Sequence, residues 1–296
     1  MNHPALICFG EVLWDLLPDG PVAGGAPMNV AFHANQLGLK ASMISRVGDD
    51  ALGRDLLQFL EKKAVPTALI QTDPALPTGT VKVTFSAAGS PSYEIVRPVA
   101  WDALQPDPTT AEQVRHATAL VYGSLACRTE NNKKTLFNYL KRAAVRVCDI
   151  NLRVPFYDQA LLEELIAAAT ILKLNDEELA LLAGWYRVGG DERTQLEYFK
   201  NRFDCALIIL TRGKDGAACL SPAGFFEHPG FRVQVQDTVG AGDSFLAGFL
   251  SQHLRGASVP ESLAFAAAVG ALVASKKGGT PELALGEIEA LLAQTT

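Results

Sequence analysis

Short apolar runs and amphipathic stretches alternate along this chain, and that alternation limits the fold more than any other feature. Ala5–Phe9 is an apolar run ended by Gly10, the pattern of a strand buried on both faces. Pro27–Leu37 reads as a helix, with Pro27 in its first turn and Gly38 as its stop. Strand Ala41–Val47, helix Leu52–Lys63, strand Ala119–Tyr122 and helix Asn131–Ala144 follow the same rhythm. Further along come strand Arg146–Ile150, helix Gln159–Ala168, strand Ile171–Leu174, helix Asp176–Ala183 and strand Ala206–Leu210. Two long helices begin near Gly242 and Pro260. Repeated β-α units predict an α/β sandwich in which helices cover both faces of a mostly parallel sheet.

One stretch departs from this rhythm. Thr80–Phe85 and Tyr93–Val96 are β-rich and joined by Ala88-Gly89-Ser90-Pro91, a hairpin signal. With Val12–Leu17 it predicts a small antiparallel flap beside the main sheet. No linker divides the chain, so a single domain spanning 1–296 is expected, with lid segments at about 12–21 and 80–98.

Composition narrows the function. The 296 residues carry 26 Lys and Arg against 32 Asp and Glu, a formal charge of −6, which argues against a nucleic-acid partner. No apolar stretch reaches the roughly 20 residues that span a bilayer, so no membrane partner is expected. The start, Met1-Asn2-His3-Pro4, lacks the basic region of a secretory leader, and the five cysteines are scattered without a CxxC pair. A cytoplasmic protein with buried thiols is the expectation.

The sharpest motif is Asp237-Thr238-Val239-Gly240-Ala241-Gly242-Asp243, which opens a helix. A Gly-Ala-Gly turn leaves backbone N–H groups unshielded, and with the positive helix end they form an anion cradle. Asp243 would repel that anion unless it serves the chemistry, and it is placed to take a proton from an attacking hydroxyl. The plain alternative is a helix start with an acid in its first turn. A dinucleotide fingerprint would need glycine at Phe245, and a Walker A loop fails because Asp215 follows Gly213-Lys214. A second motif, Gly24-Gly25-Ala26-Pro27-Met28-Asn29, permits close ligand approach to backbone and offers an amide suited to hydroxyls. Asp15 upstream can accept two hydroxyl hydrogen bonds.

Gly24–Asn29, the Arg46-Val47-Gly48-Asp49-Asp50 segment and Asp237–Asp243, in that order, resemble the ribokinase (PfkB) family of carbohydrate kinases. Asp15-Leu16-Leu17-Pro18 and Asp149-Ile150-Asn151-Leu152-Arg153 are most similar to its bacterial fructokinases. The resemblance implies a ribokinase-like three-layer αβα sandwich with a small β-rich lid. It implies transfer of the γ-phosphate of ATP, with Mg²⁺, to the primary hydroxyl of a small sugar, D-fructose giving fructose 6-phosphate. Ribose, 2-keto-3-deoxygluconate or a nucleoside are the alternative acceptors, and a non-catalytic sugar sensor is the alternative class.

By the same resemblance Asp243 is the catalytic base, and Gly240, Ala241 and Gly242 form the anion hole. Asp15, Gly24, Gly25 and Asn29 contact sugar; Arg153 is either a ligand contact or a structural ion-pair partner. Asn175, Thr211, Gly213, Gly216 and Gly242 lie on the nucleotide side, while Glu178 organises Mg²⁺ through water. Asp237 and the Val239 carbonyl match positions for a monovalent cation, K⁺. Pairing of lid edges into a homodimer is a further expectation. Asn175-x-x-Glu178 by itself reads as a helix cap, and the turn at Thr211-Arg212-Gly213 as an ordinary β-turn. His33 is expected to be packed or exposed and Trp101 to anchor the lid base.

Overall fold

The computed structural model describes residues 4–85 and 91–295. Its strands are β1 (Ala5–Phe9), β2 (Leu13–Leu17), β3 (Gly20–Gly24), β4 (Lys40–Gly48), β5 (Ile70–Asp73), β6 (Gly79–Phe85) and β7 (Pro91–Ile95). The rest are β8 (Ala119–Tyr122), β9 (Val145–Asp149), β10 (Ile171–Asn175), β11 (Leu207–Thr211), β12 (Ala217–Ser221) and β13 (Gly224–His228). The main sheet runs β13-β12-β11-β10-β9-β8-β1-β4-β5, parallel from β5 to β11 and antiparallel at the β12–β13 edge.

Each face of this sheet is sealed by helices. Along β1, Leu6 and Cys8 point into one core while Ile7 and Phe9 point into the other. Helices Ala26–Gln36, Ala51–Lys62, Ala241–His253 and Val259–Ala274 cover the first face. Pro108–His116, Glu130–Leu140, Gln159–Ala167, Asp176–Tyr186 and Glu192–Phe203 cover the second. This is the expected three-layer sandwich, and all five cysteines are buried free thiols. The direction of strand addition reverses at β1, between β4 and β8, which leaves a crevice at the carboxyl ends of β1 and β8.

The small sheet has the order β3-β2-β6-β7. It is not wholly antiparallel: β2 and β6 run parallel, because β6 arrives after the long excursion through β4 and β5 rather than by a hairpin from β2. The turn residues 86–90 lie outside the described residues. Trp14 of β2 donates its indole N–H to the Leu52 carbonyl at 3.0 Å, which ties this sheet to the main body. Trp101 is fully buried at the base, as expected, in the space left by the missing side chain of Gly79.

Most element ends lie within a residue or two of expectation; the helix expected over Asp176–Ala183 runs on to Tyr186, and one other differs more. The helix expected to reach Ala144 stops at Leu140, since the chain must turn before β9 begins at Val145. Strand β5 carries little signal in the sequence, since Ile70-Gln71-Thr72-Asp73 has one apolar residue. The same holds for Glu192–Phe203, a polar helix anchored by Leu196, Phe199 and Phe203 and capped by Asp191.

Candidate active site

The Asp237–Gly240 turn is built by hydrogen bonds across the chain. Asp237 Oδ1 accepts from the Val239 N–H at 3.0 Å, and Oδ2 accepts from the Gly278 N–H at 3.0 Å. Gly240 has φ of +74°, and a Cβ there would stand 2.5 Å from the Gly279 carbonyl oxygen. Only glycine fits that place. Helix Ala241–His253 starts immediately after it, and no side chain caps its first turn. Ala241, expected in the anion hole, spends its N–H on the Thr238 carbonyl at 3.2 Å, whereas the N–H groups of Gly242 and Asp243 meet no acceptor among the described residues. Free donors at the positive end of a 13-residue helix make a site for an anion.

Asp243, 8% exposed, accepts a 2.8 Å hydrogen bond from Asn29 Nδ2 on the Ala26–Gln36 helix, 214 residues away in sequence. Burial raises its pKa to about 6, and the Asp149 charge adds to that, against the pull of Asn29, Lys173 and Arg153. A carboxyl poised there is ionised at neutral pH yet basic enough to accept a proton.

Two charged residues outside the sequence motifs complete this centre. Lys173 lies within β10, and its Nζ donates to Asp149 Oδ2 at 2.7 Å, both side chains 7% exposed. Burial works against the ammonium, but Asp149, Glu178 and Asp243 outweigh it and raise its pKa. Its Nζ stands 3.5 Å from where a Cβ on Gly242 would be, beside the free N–H groups. A lysine inside the otherwise apolar run Ile171–Leu174 was the available signal, since a buried ammonium needs a partner. Glu11, two residues past the end of β1, is 5% exposed, and burial pushes its carboxyl up to about 7. Its Oε1 accepts from the Ala26 N–H at 3.3 Å. Glu11, Ser124, Asp149, Asn151 and Asp243 line one cavity of about 10 Å³, into which Asp149 Oδ1 and Ser124 Oγ bring no protein partner.

The remaining residues named from sequence fall around this centre. Asp15 of β2 is half-buried; burial raises its pKa and Arg153 opposes the rise. A Cβ on Gly24 would stand 2.5 Å from Asp15 Oδ2, and one on Gly25 would strike the Glu11 carbonyl. Arg153 is exposed, donates only to the Leu152 carbonyl at 2.9 Å, and makes no ion pair among the described residues. Its charge lowers the pKa of Glu11, Asp15 and Asp243 alike. Asn175 and Glu178 form a reciprocal helix cap, as their spacing suggested. The Glu178 oxygens accept from Leu152 N–H at 3.0 Å and Asn175 N–H at 2.8 Å. Asn175 pairs with Thr211 across β10 and β11, so the Thr211–Gly216 turn lies one strand from the cap. Gly213 and Gly216 take positive φ there, +55° and +85°.

The family model for the pfkB family carbohydrate kinases matches residues 21–284. The chain belongs to that family of carbohydrate kinases. This pfkB kinase is 33% identical over 300 residues to a fructokinase of Klebsiella pneumoniae, covering 93% of this chain and 94% of that one. A fructokinase of Xylella fastidiosa with bound ATP superposes with a TM-score of 0.87 at 26% identity, over 98% of both chains. A Vibrio cholerae fructokinase bound to fructose, ADP and calcium superposes with a TM-score of 0.83 at 25% identity, over 98% of this chain and 99% of that one. The ribokinase-like fold and the kinase class stand on these likenesses together with the geometry. No helix among the described residues is long and apolar enough to cross a membrane.

Proposed function

We propose that this kinase transfers the γ-phosphoryl group of ATP to the primary hydroxyl of D-fructose, giving fructose 6-phosphate and ADP. The observation that carries this reading is Asp243, a buried base at the uncapped helix start, hydrogen-bonded to Asn29 and flanked by Lys173. The fructokinase relatives and the fructose bound in the Vibrio cholerae neighbour support the choice of sugar.

In this reading Asp15, Gly24, Gly25 and Asn29 receive the sugar hydroxyls, and Asp243 accepts the proton of the primary hydroxyl. The oxygen–phosphorus bond to the sugar forms as the bond between the γ-phosphorus and the bridging oxygen breaks. The N–H groups of Gly242 and Asp243, with Lys173, stabilise charge on the transferring group, so most of the rate comes from positioning and electrostatics. Thr211, Gly213 and Gly216 border the nucleotide.

For Mg²⁺, the donor set fits a hard cation held through water: Asp149 Oδ1 is buried without a partner, and each Glu178 oxygen spends one lone pair on an N–H. When bound, Mg²⁺ supplies neutralisation of phosphate charge. Asp237 and the Val239 carbonyl are the place for K⁺. The chain acts as one kinase domain whose lid, segments 12–21 and 80–98, closes over the sugar, and lid edges pair two copies.

Coupled ADP release across a panel of sugars, with and without Mg²⁺ and K⁺, tests the reading. Fructose should give the highest kcat/KM, and omission of Mg²⁺ should abolish turnover. Faster turnover of another sugar would replace fructose; sugar binding without ADP release would replace the kinase reading with a sensor.

A further inference from the structure

His33 carries no role in the chemistry above, yet its environment is unusual. It lies on the Ala26–Gln36 helix among Ala31, Phe32 and Ala34, fully buried. Nε2 lies 2.9 Å from the Gly279 carbonyl oxygen, 246 residues away, and Nδ1 has no partner. Burial pushes its pKa down to about 4, against the pull of the Gly279 carbonyl, so the ring is neutral and Nε2–H is the donor. An apolar side chain would fill this core without leaving a ring nitrogen unsatisfied.

What the bond reaches explains the placement. Gly279 packs directly under Gly240, whose Cβ position meets the Gly279 oxygen, and against Asn29, 3.2 Å from its own Cβ position. Its neighbour Gly278 donates to Asp237. Three residues on one helix face grip this loop: Asn29 beside Gly279, His33 on its carbonyl, and Gln36, which donates to the Pro281 carbonyl at 3.1 Å and accepts from the Leu283 N–H at 2.9 Å. The same helix holds Asp243 through Asn29.

We propose that His33 is a positioning residue that locks the Gly278–Gly279 loop to the sugar-side helix, so that the Gly240–Gly242 anion turn and the Asn29–Asp243 pair keep one geometry. The inference rests on the kinase reading for its effect on turnover, but the lock itself does not require it.

The test compares H33Q, H33N and H33L. A glutamine amide reaches the Gly279 carbonyl, an asparagine amide falls short, and leucine has no donor. H33Q should keep kcat within about threefold of the parent, while H33N and H33L lose at least tenfold, with the sugar KM changed less than twofold. Amide hydrogen exchange over residues 276–283 should quicken in H33N and H33L and not in H33Q. Equal kcat in H33Q and H33N, or unchanged exchange in both, would overturn the proposal. If H33L fails to fold, the H33Q and H33N pair decides, being alike in polarity and different in reach. If the parent turns over no sugar, the exchange measurement still reads the lock, separating its failure from that of the proposed function.

Discussion

A single carboxyl illustrates how much at the residue scale depends on surroundings. Asp243 shares the type of many helix-start acids, but burial and the Asp149 charge hold its pKa near 6. Two outcomes follow for Asp243→Asn. Turnover should drop by about 10²–10⁴-fold, the usual contribution of a general base, measured by coupled ADP release. In the parent, kcat/KM should fall below pH about 6 as the base becomes protonated. Stability moves the other way. Because the folded pKa exceeds the unfolded one, an ordinary aspartate near 3.8, the folded state is penalised as pH rises through that interval. Asp243→Asn should therefore be more stable than the parent above pH 6, by an amount on the order of 2–3 kcal/mol. Below pH 4 the difference should vanish. Denaturant midpoints at pH 4 and pH 8 measure it, and equal shifts at both would contradict the buried-charge account.

At the scale of elements, the turn before helix Ala241–His253 depends on backbone shape more than on side chains. Gly240→Ala would place a methyl group 2.5 Å from the Gly279 oxygen in a left-handed conformation. The cost should be about 1–3 kcal/mol of stability, with a loss of phosphate binding larger than the loss of sugar binding. Calorimetric titration with ADP and with fructose separates the two; equal losses would point to general unfolding. Such turns were readable in advance, since glycine spacing reports the backbone directly. The Asn175–Glu178 cap was readable for the same reason, its partners being three residues apart. The polar helix Glu192–Phe203 and strand β5 were not, because too few of their residues are apolar for periodicity to show.

At the scale of the whole molecule, the proposed reaction needs the Ala26–Gln36 helix, the Asp237–Gly240 turn and the small sheet to meet over one crevice. If the β3-β2-β6-β7 sheet closes as a lid, water is excluded only when sugar is present. ATP hydrolysis without sugar should then be under about one hundredth of the sugar-dependent rate, and shortening the lid should raise it. Phosphate release measured with and without fructose checks this; a high basal rate unaffected by lid truncation would remove the lid from the mechanism.

The β/α alternation, the Gly-Ala-Gly turn and the acid that follows it were determined by the sequence alone, because periodicity and turn chemistry act over a few neighbouring residues. Packing of distant segments decided the rest. It brought Asn29 to Asp243, paired Lys173 with Asp149, and buried Glu11 and His33. Burial and the fields of neighbouring charges exist only after the layers assemble, and they turn an ordinary aspartate into a base.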